Sequence, residues 1–376
     1  MNLKNAIIIT AGKRGKHTYG MLKDLYSVVA FADNDEKKWG EHLGDREIIS
    51  LSAAVRGYKK NVDCFILPAG LDYTMRYELY SQLISLGVAG EDIFIALENE
   101  NGSVRIKEIQ KITALPYLEI PLVEHCNLNC RGCSHFSPLA KETVYDLDEF
   151  KKDILQFKGM IDTISLIRIL GGEPLLHPQI IDFIVIVRNM YPESEIRIVT
   201  NGILLNSMSV DFWEAVKEHD VVIQITLYPI FFKNEEKLIA MLRDKKVLYK
   251  IYRTSRFRKP IRAEERNVCG NLPKDWIRCH CTNLYKGKFS ACAMVMFMPL
   301  FNHRFGCNYS CEGVHDLYDE ELTGEKMIDI LGESIPFCNY CELIMNDLER
   351  ENENSPHFSI WKPLKEGEEK MEDWIG

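Results

Sequence analysis

A chain of 376 residues is longer than one hydrophobic core usually supports, so two or three domains are expected. With 46% hydrophobic and 27% charged residues, it has the make-up of an ordinary folded protein, which excludes a disordered or low-complexity chain. The formal charge of -9 argues against a surface built to track phosphates, so nucleic acid is not expected as a partner.

The opening stretch MNLKNAIIIT carries an apolar run too short for a signal-peptide core, and no run of about eighteen apolar residues follows. A cytoplasmic protein without a membrane partner is therefore expected. Within residues 1–105, NAIIIT, SVVAFADND, REIIS, DCFILPAG and DIFIALE read as strands, with helices between them, as around YELYSQLISLG. This alternation predicts a small parallel α/β domain. The turn after the first strand runs Thr10-Ala11-Gly12-Lys13-Arg14-Gly15, and Asp33 ends the second strand. It resembles a Rossmann nucleotide-binding turn in which Gly12 and Gly15 are kept and Thr10 replaces the first glycine. A turn that merely reverses a strand into a helix also uses glycines, and both readings stand. The resemblance implies a Rossmann-like domain for a nucleotide or sugar nucleotide. Cys64, alone in VDCFILP, reads as a buried apolar filler.

The segment VRIKEIQKITALP reads as a connector into a second series, residues 106–258. Strands YLEIPLVEH, SLIRILGG, EIRIVTNG, VVIQITLY and VLYKIYR are separated by helix-sized spacers such as DLDEFKKDILQFKGM and QIIDFIVIVRNMY. Helices between buried strands imply a parallel sheet, and several units in series imply a complete or partial barrel with its active site at the strand ends.

Cys126, Cys130 and Cys133 follow directly on the first of these strands, three thiols within eight residues. Three thiolates converging from irregular backbone suit a four-iron cluster and leave one iron open. Structural zinc, completed by His125 or His135, is the alternative for this loop. After the second strand comes Gly171-Gly172-Glu173-Pro174. A Cys-x3-Cys-x2-Cys loop and a GGEP turn at successive strand ends resemble the radical S-adenosylmethionine superfamily. The resemblance implies that the open iron chelates the methionine moiety of S-adenosylmethionine and that the GGE stretch meets its amino group. Bare glycine backbone lets a ligand come close, and Glu173 is an acceptor for an ammonium. Thr200 and Asn201 close the third strand; Gln224, Thr226 and Tyr228 alternate on one face of the fourth, where the family places ribose or substrate contacts. Gly132 stands where the family often has an aromatic residue near the adenine, which leaves His135 or Phe136 for that role. The chemistry implied is reductive cleavage of S-adenosylmethionine to a 5′-deoxyadenosyl radical that abstracts hydrogen from substrate.

Eight cysteines occupy residues 259–376: Cys269, Cys279, Cys281, Cys292, Cys307, Cys311, Cys338 and Cys341. Gly287-x4-Cys292 and the late Cys338-x2-Cys341 pair resemble twitch and SPASM auxiliary-cluster domains. The resemblance implies a second four-iron cluster on Cys281, Cys292, Cys338 and Cys341, with Cys279 as the alternative to Cys281. A β-hairpin turning at Gly287 would bring two of the thiolates together. Eight thiols suffice arithmetically for two auxiliary clusters, and zinc on four cysteines is the alternative reading. The acidic end, KPLKEGEEKMEDWIG, reads as a solvated tail.

The expected architecture is α/β: a Rossmann-like domain, a partial radical SAM barrel and a cysteine-rich auxiliary domain. The expected function is a radical enzyme oxidising or rearranging a small polar substrate, a sugar, sugar nucleotide or cyclitol, with a flavodoxin- or ferredoxin-type electron donor. A SPASM-type peptide-modifying enzyme, and an iron-sulfur electron carrier or sensor, are the competing readings.

Overall fold

The computed structural model describes residues 3–99, 102–267, 282–342 and 358–376. Contacts divide the chain into two units, the first running to Pro116 and including Ile161–Ser165 and Asn189–Ser194. Its elements are β1 (Asn5–Ile9), α1 (Lys13–Leu22), β2 (Ser27–Ala32), β3 (His42–Leu43), β4 (Arg46–Ile49), α2 (Leu51–Arg56), β5 (Cys64–Pro68), α3 (Tyr73–Ser85), β6 (Ile93–Glu98) and β7 (Val104–Glu108). They form a sheet of order β3-β4-β2-β1-β5-β6-β7, parallel from β4 to β6 with an antiparallel strand at each edge. Every residue of β5 is buried, which is why its sequence is a continuous apolar run. Cys64 lies there, and burial pushes its thiol up to about 12. The segment from Val104, read as a connector, is edge strand β7. Its charged VRIKE sequence looks like a linker by composition, but pairing with β6 is a backbone matter and an edge tolerates charge.

The turn after β1 leads directly from the strand into α1. Thr10 adopts a φ of +81°, the left-handed region a glycine would favour, and a Cβ on Gly15 would stand 2.0 Å from the Thr10 carbonyl oxygen. The Asp33 carboxylate accepts from the Ala11 backbone N–H at 2.7 Å, the Asp35 N–H at 2.9 Å and the Lys38 ammonium at 3.0 Å. Burial alone would raise its proton affinity, but these bonds outweigh burial and hold it below the ordinary value.

The second unit holds the remainder. Its elements are β8 (Ala114–Pro121), α4 (Leu147–Met160), β9 (Thr163–Leu170), α5 (Ile180–Met190), β10 (Glu195–Thr200), α6 (Val210–Glu218), β11 (Val222–Leu227), α7 (Glu235–Asp244) and β12 (Leu248–Arg253), the first and some others reaching across the division. The α4 helix begins where the Asp146 carboxylate accepts from the Asp148 and Glu149 N–H groups at 3.0 and 2.9 Å, and it buries Phe150, Ile154 and Phe157 on one face. Each such side chain contributes roughly 1.5–3 kcal/mol when taken out of water. The cysteine-rich region adds β13 (Arg256–Arg258), β14 (Asn283–Tyr285), β15 (Lys288–Ser290), α8 (Ala293–Phe305), β16 (Val314–Asp316), α9 (Gly324–Leu331) and β17 (Phe358–Ile360). The sheet runs β12-β11-β10-β9-β8-β14-β15-β16 and is open at β12 and β16, a partial barrel. The hairpin expected around Gly287 is present as β14–β15, with Lys286 and Gly287 at φ +46° and +69° in its two-residue turn. Through β14, which pairs with β8, this region extends the barrel sheet. No helix among the described residues is long and apolar enough to cross a membrane.

Candidate functional site

The cysteine loop and the glycine pair are one construction. Beyond β9, the Gly172 N–H donates to the Val123 carbonyl at 2.8 Å and the Glu173 N–H to the His125 carbonyl at 3.1 Å. A Cβ on Gly171 would stand 2.3 Å from the Val123 oxygen, and one on Gly172 1.9 Å from the His125 oxygen. The glycines therefore let the end of β9 reach the backbone that leads into Cys126. The sequence suggested close approach of a ligand; the structure adds close approach of the protein's own chain.

Cys126, Cys130 and Cys133 line one cavity of about 260 Å³ together with Gly171 and Gly172. Among the described residues no cysteine is in a disulfide. Burial pushes the Cys126 thiol well up and the Cys130 thiol to about 12, each raised further by its neighbouring cysteines. Thiols in such a setting become thiolates when a metal's positive charge stabilises them. The Cys130 sulfur accepts a hydrogen bond from the Trp361 indole N–H at 3.2 Å and one from the Tyr228 hydroxyl. The Trp361 and Tyr228 rings stack at 5.1 Å.

Trp361 belongs to the C-terminal stretch, which is packed over the cysteine loop and is not a solvated tail. The Leu364 N–H donates to the Asn129 carbonyl at 2.7 Å, and the Arg131 N–H donates to the Lys362 carbonyl at 3.3 Å. The Arg131 guanidinium meets the Asp373 carboxylate at 2.5 Å, and the Trp374 indole N–H donates to the Cys133 carbonyl at 3.0 Å. Two buried tryptophans in an otherwise acidic stretch were the signal for this docking.

Glu173 is fully buried. Its carboxylate accepts from the Thr200 hydroxyl at 2.7 Å, the Asn201 N–H at 2.9 Å and the Leu175 N–H at 3.2 Å, tying the end of β9 to that of β10. Burial raises its carboxyl to about 7 against the opposing pull of those bonds. The Asn201 amide in turn donates to the Asn127 side-chain oxygen at 2.7 Å and lies 3.7 Å from the Cys126 sulfur, so it braces the loop. Thr200, Asn201, Thr226 and Tyr228 line the cavity. Glu173, Pro174, Gln224 and Phe136 are not among its lining residues. Pro174 opens a short buried turn, and the Gln224 side-chain oxygen accepts from the Arg197 guanidinium at 3.1 Å. The Phe136 ring packs with Phe301 and Trp374, and its neighbour His135 faces the cavity instead.

A charged pair beside His135 on the cavity wall escaped sequence reasoning. Glu119 of β8 and Arg168 of β9 lie 3.4 Å apart, and the Arg168 guanidinium also donates to the Tyr117 hydroxyl at 2.5 Å. Tyr117 is hydrogen-bonded to Glu119 as well. His135 and Ser137 complete the group. Burial holds the His135 imidazole below its ordinary proton affinity. The available signal was a charged residue inside each of two apolar strands, YLEIPL and SLIRIL.

Of the cysteines expected on an auxiliary cluster, Cys292 precedes α8, the Cys338 sulfur accepts from the Ile335 N–H at 3.4 Å, and Cys341 is buried. Cys281 and its alternative Cys279, with Cys269, lie outside the described residues.

Residues 120–254 match the family model of the radical SAM superfamily. This is a radical SAM domain. Its sequence is similar to GTP 3′,8-cyclase of Crocosphaera subtropica, 31% identical over 108 residues, covering 26% of this chain and 30% of that one. The GTP 3′,8-cyclase of Campylobacter jejuni subsp. doylei is 34% identical over 100 residues, 26% of this chain and 31% of that one. The match thus spans less than a third of those relatives. Among solved structures, that of BtrN in complex with AdoMet and 2-DOIA is 15% identical with a TM-score of 0.39, covering 61% of this chain and 93% of that one.

The radical SAM superfamily implies a four-iron cluster and S-adenosylmethionine, and the residues fit both. Three free thiols share one cavity, a ligand count that leaves the fourth iron open. Glycine backbone and the Thr200, Asn201 and Thr226 side chains offer polar contacts beside them.

Proposed function

We propose that the protein is a radical SAM enzyme acting on a small polar substrate, a sugar, sugar nucleotide or cyclitol, by oxidation or rearrangement. The observation that carries this reading is the convergence of Cys126, Cys130, Cys133 and the Gly171–Gly172 pair on a single cavity. When bound there, the cluster and S-adenosylmethionine supply a one-electron reductive cleavage whose radical product removes a hydrogen atom from substrate. The three cysteines hold the cluster, Asn201 braces their loop against β10, and Trp361 and Tyr228 donate hydrogen bonds to one of the sulfurs. The C-terminal stretch covers the loop and limits access of water to it.

An auxiliary cluster on Cys292, Cys338 and Cys341, with Cys281 or Cys279, would serve as acceptor of a second electron from the substrate. A flavodoxin or ferredoxin would deliver the first. The test is anaerobic incubation of iron-reconstituted protein with S-adenosylmethionine and dithionite. 5′-Deoxyadenosine is expected from the wild type and from Cys338→Ala, and none from Cys130→Ala. Absence of this product from the wild type would sink the proposal.

A further inference from the structure

Three residues that line the cavity each hold a buried polar atom with no hydrogen-bond partner: Nε of Arg168, Nε2 of His135 and Oγ of Ser137. A Glu119 oxygen lies 3.8 Å from that Nε2, too long for a hydrogen bond, and the hydroxyl oxygen of Ser134 meets the other ring nitrogen, Nδ1, at 3.5 Å. Ser137 is only 3% exposed, so bulk water does not satisfy it. Orphaned buried groups are uncommon, and three around one cavity mark a place where something else completes them. Two of their side chains are bracketed by Glu119, which supplies an acceptor beside the donors.

We propose that Arg168, Glu119, His135 and Ser137 form the substrate subsite of this cavity, and that it takes the hydroxyl groups of an uncharged polyol ring; this deepens the radical SAM reading and rests on it. The Arg168 N–H donates, the Glu119 carboxylate accepts, and the serine and histidine can each do either, which is the pattern a set of ring hydroxyls requires. Charge decides against an anion. Arg168 is the one Lys or Arg among the lining residues and Glu119 the one carboxylate, and at 3.4 Å they compensate each other. A phosphate or carboxylate ligand needs an excess of positive charge, as paired arginines or lysines provide. Leu170, Leu128 and Val199 line the same cavity and offer apolar surface for the C–H faces of a ring. Arg168 stands three residues before Gly171 on β9, so the subsite lies on the strand body and the thiol loop at the strand end.

The test uses the iron-reconstituted full chain with S-adenosylmethionine and ligand-observed saturation-transfer NMR, with myo-inositol and D-glucose as polyols and inorganic phosphate as the competing anion. Saturable binding of a polyol is expected, undisturbed by phosphate and weakened about fivefold by Ser137→Ala and at least as much by Arg168→Lys, the loss of one hydrogen bond. Ser137→Ala removes a single oxygen, so it separates the effect from a folding defect in Arg168→Lys; iron content of both variants is measured alongside. The inference is overturned if neither polyol binds, if phosphate displaces them, or if binding is unchanged in both variants. It is also overturned if Ser137→Ala weakens S-adenosylmethionine itself by the same factor, which would assign these atoms to the cofactor. Polyol binding is read in parallel without S-adenosylmethionine, so that failure of the wild type to take up iron or S-adenosylmethionine counts against the radical SAM reading alone.

Discussion

Two glycine turns close two parallel strands of this protein, and they end differently. At residues 10–15 the turn closes on its own strand: Gly15 admits the Thr10 carbonyl, and the Asp33 carboxylate takes up the Ala11 N–H. At residues 171–173 the same device pulls a neighbouring loop alongside, and the wall it forms faces three thiols and several unsatisfied polar atoms. The same local device thus closes on its own strand in one unit and brings a cysteine loop alongside in the other. The difference lies in where the surrounding polar groups find partners.

The largest effects that could break this comparison come from filling the glycines. In both Gly172→Ala and Gly15→Ala a new Cβ would meet a backbone carbonyl oxygen, at 1.9 and 2.0 Å, and each should lose roughly 4 kcal/mol or more in urea denaturation. About four irons are expected to be lost in the first and none in the second; equal loss in both would erase the distinction. Next in size is Glu173. Its carboxyl is raised from 4.5 to about 7 in the folded chain, so between those values the native state binds the more protons and stability falls as pH rises. In the metal-free protein this costs about 3 kcal/mol across that window, and Glu173→Gln should flatten the decline measured by urea denaturation at pH 5 and pH 7. An unaltered slope would count against the burial of that carboxylate.

Smaller is Asp33→Ala, which removes the acceptor of two N–H groups and should cost about 2 kcal/mol of stability while leaving iron uptake as it is. Trp361→Phe is expected to cost about 1 kcal/mol, keeping the stack on Tyr228 but losing the donor to Cys130. A thiolate relieved of a hydrogen bond carries more electron density, so the midpoint potential of the cluster should become more negative in a redox titration followed by electron paramagnetic resonance. No change in potential would reduce Trp361 to packing alone.

The cysteine loop and GGEP were legible because their residue types are dictated by local needs, thiols for a metal and bare backbone for a close approach. The Rossmann-like turn was legible for the same reason, and Thr10 holds there the left-handed conformation a glycine would favour. What escaped was set by distant partners. β7 reads as a linker because an edge strand needs no apolar pattern. The docking of the C-terminal stretch depends on Trp361 and Trp374 finding sulfur and carbonyl acceptors more than two hundred residues away. Phe136 was a candidate for the adenine by position, yet its ring packs on Phe301 and Trp374 outside the cavity lining while His135 lines the wall. Glu119 and Arg168 were hidden inside apolar strands, where only their pairing across β8 and β9 reveals a use.

The most direct measurement is iron, sulfide and zinc per chain with an absorption spectrum, on the anaerobically reconstituted wild type and on a variant with Cys126, Cys130 and Cys133 all changed to Ala. The expected result is a loss of about four irons and four sulfides in the variant, the content of one cubane. Unchanged iron, or zinc in place of iron in the wild type, would contradict the assignment of the cluster to these three cysteines.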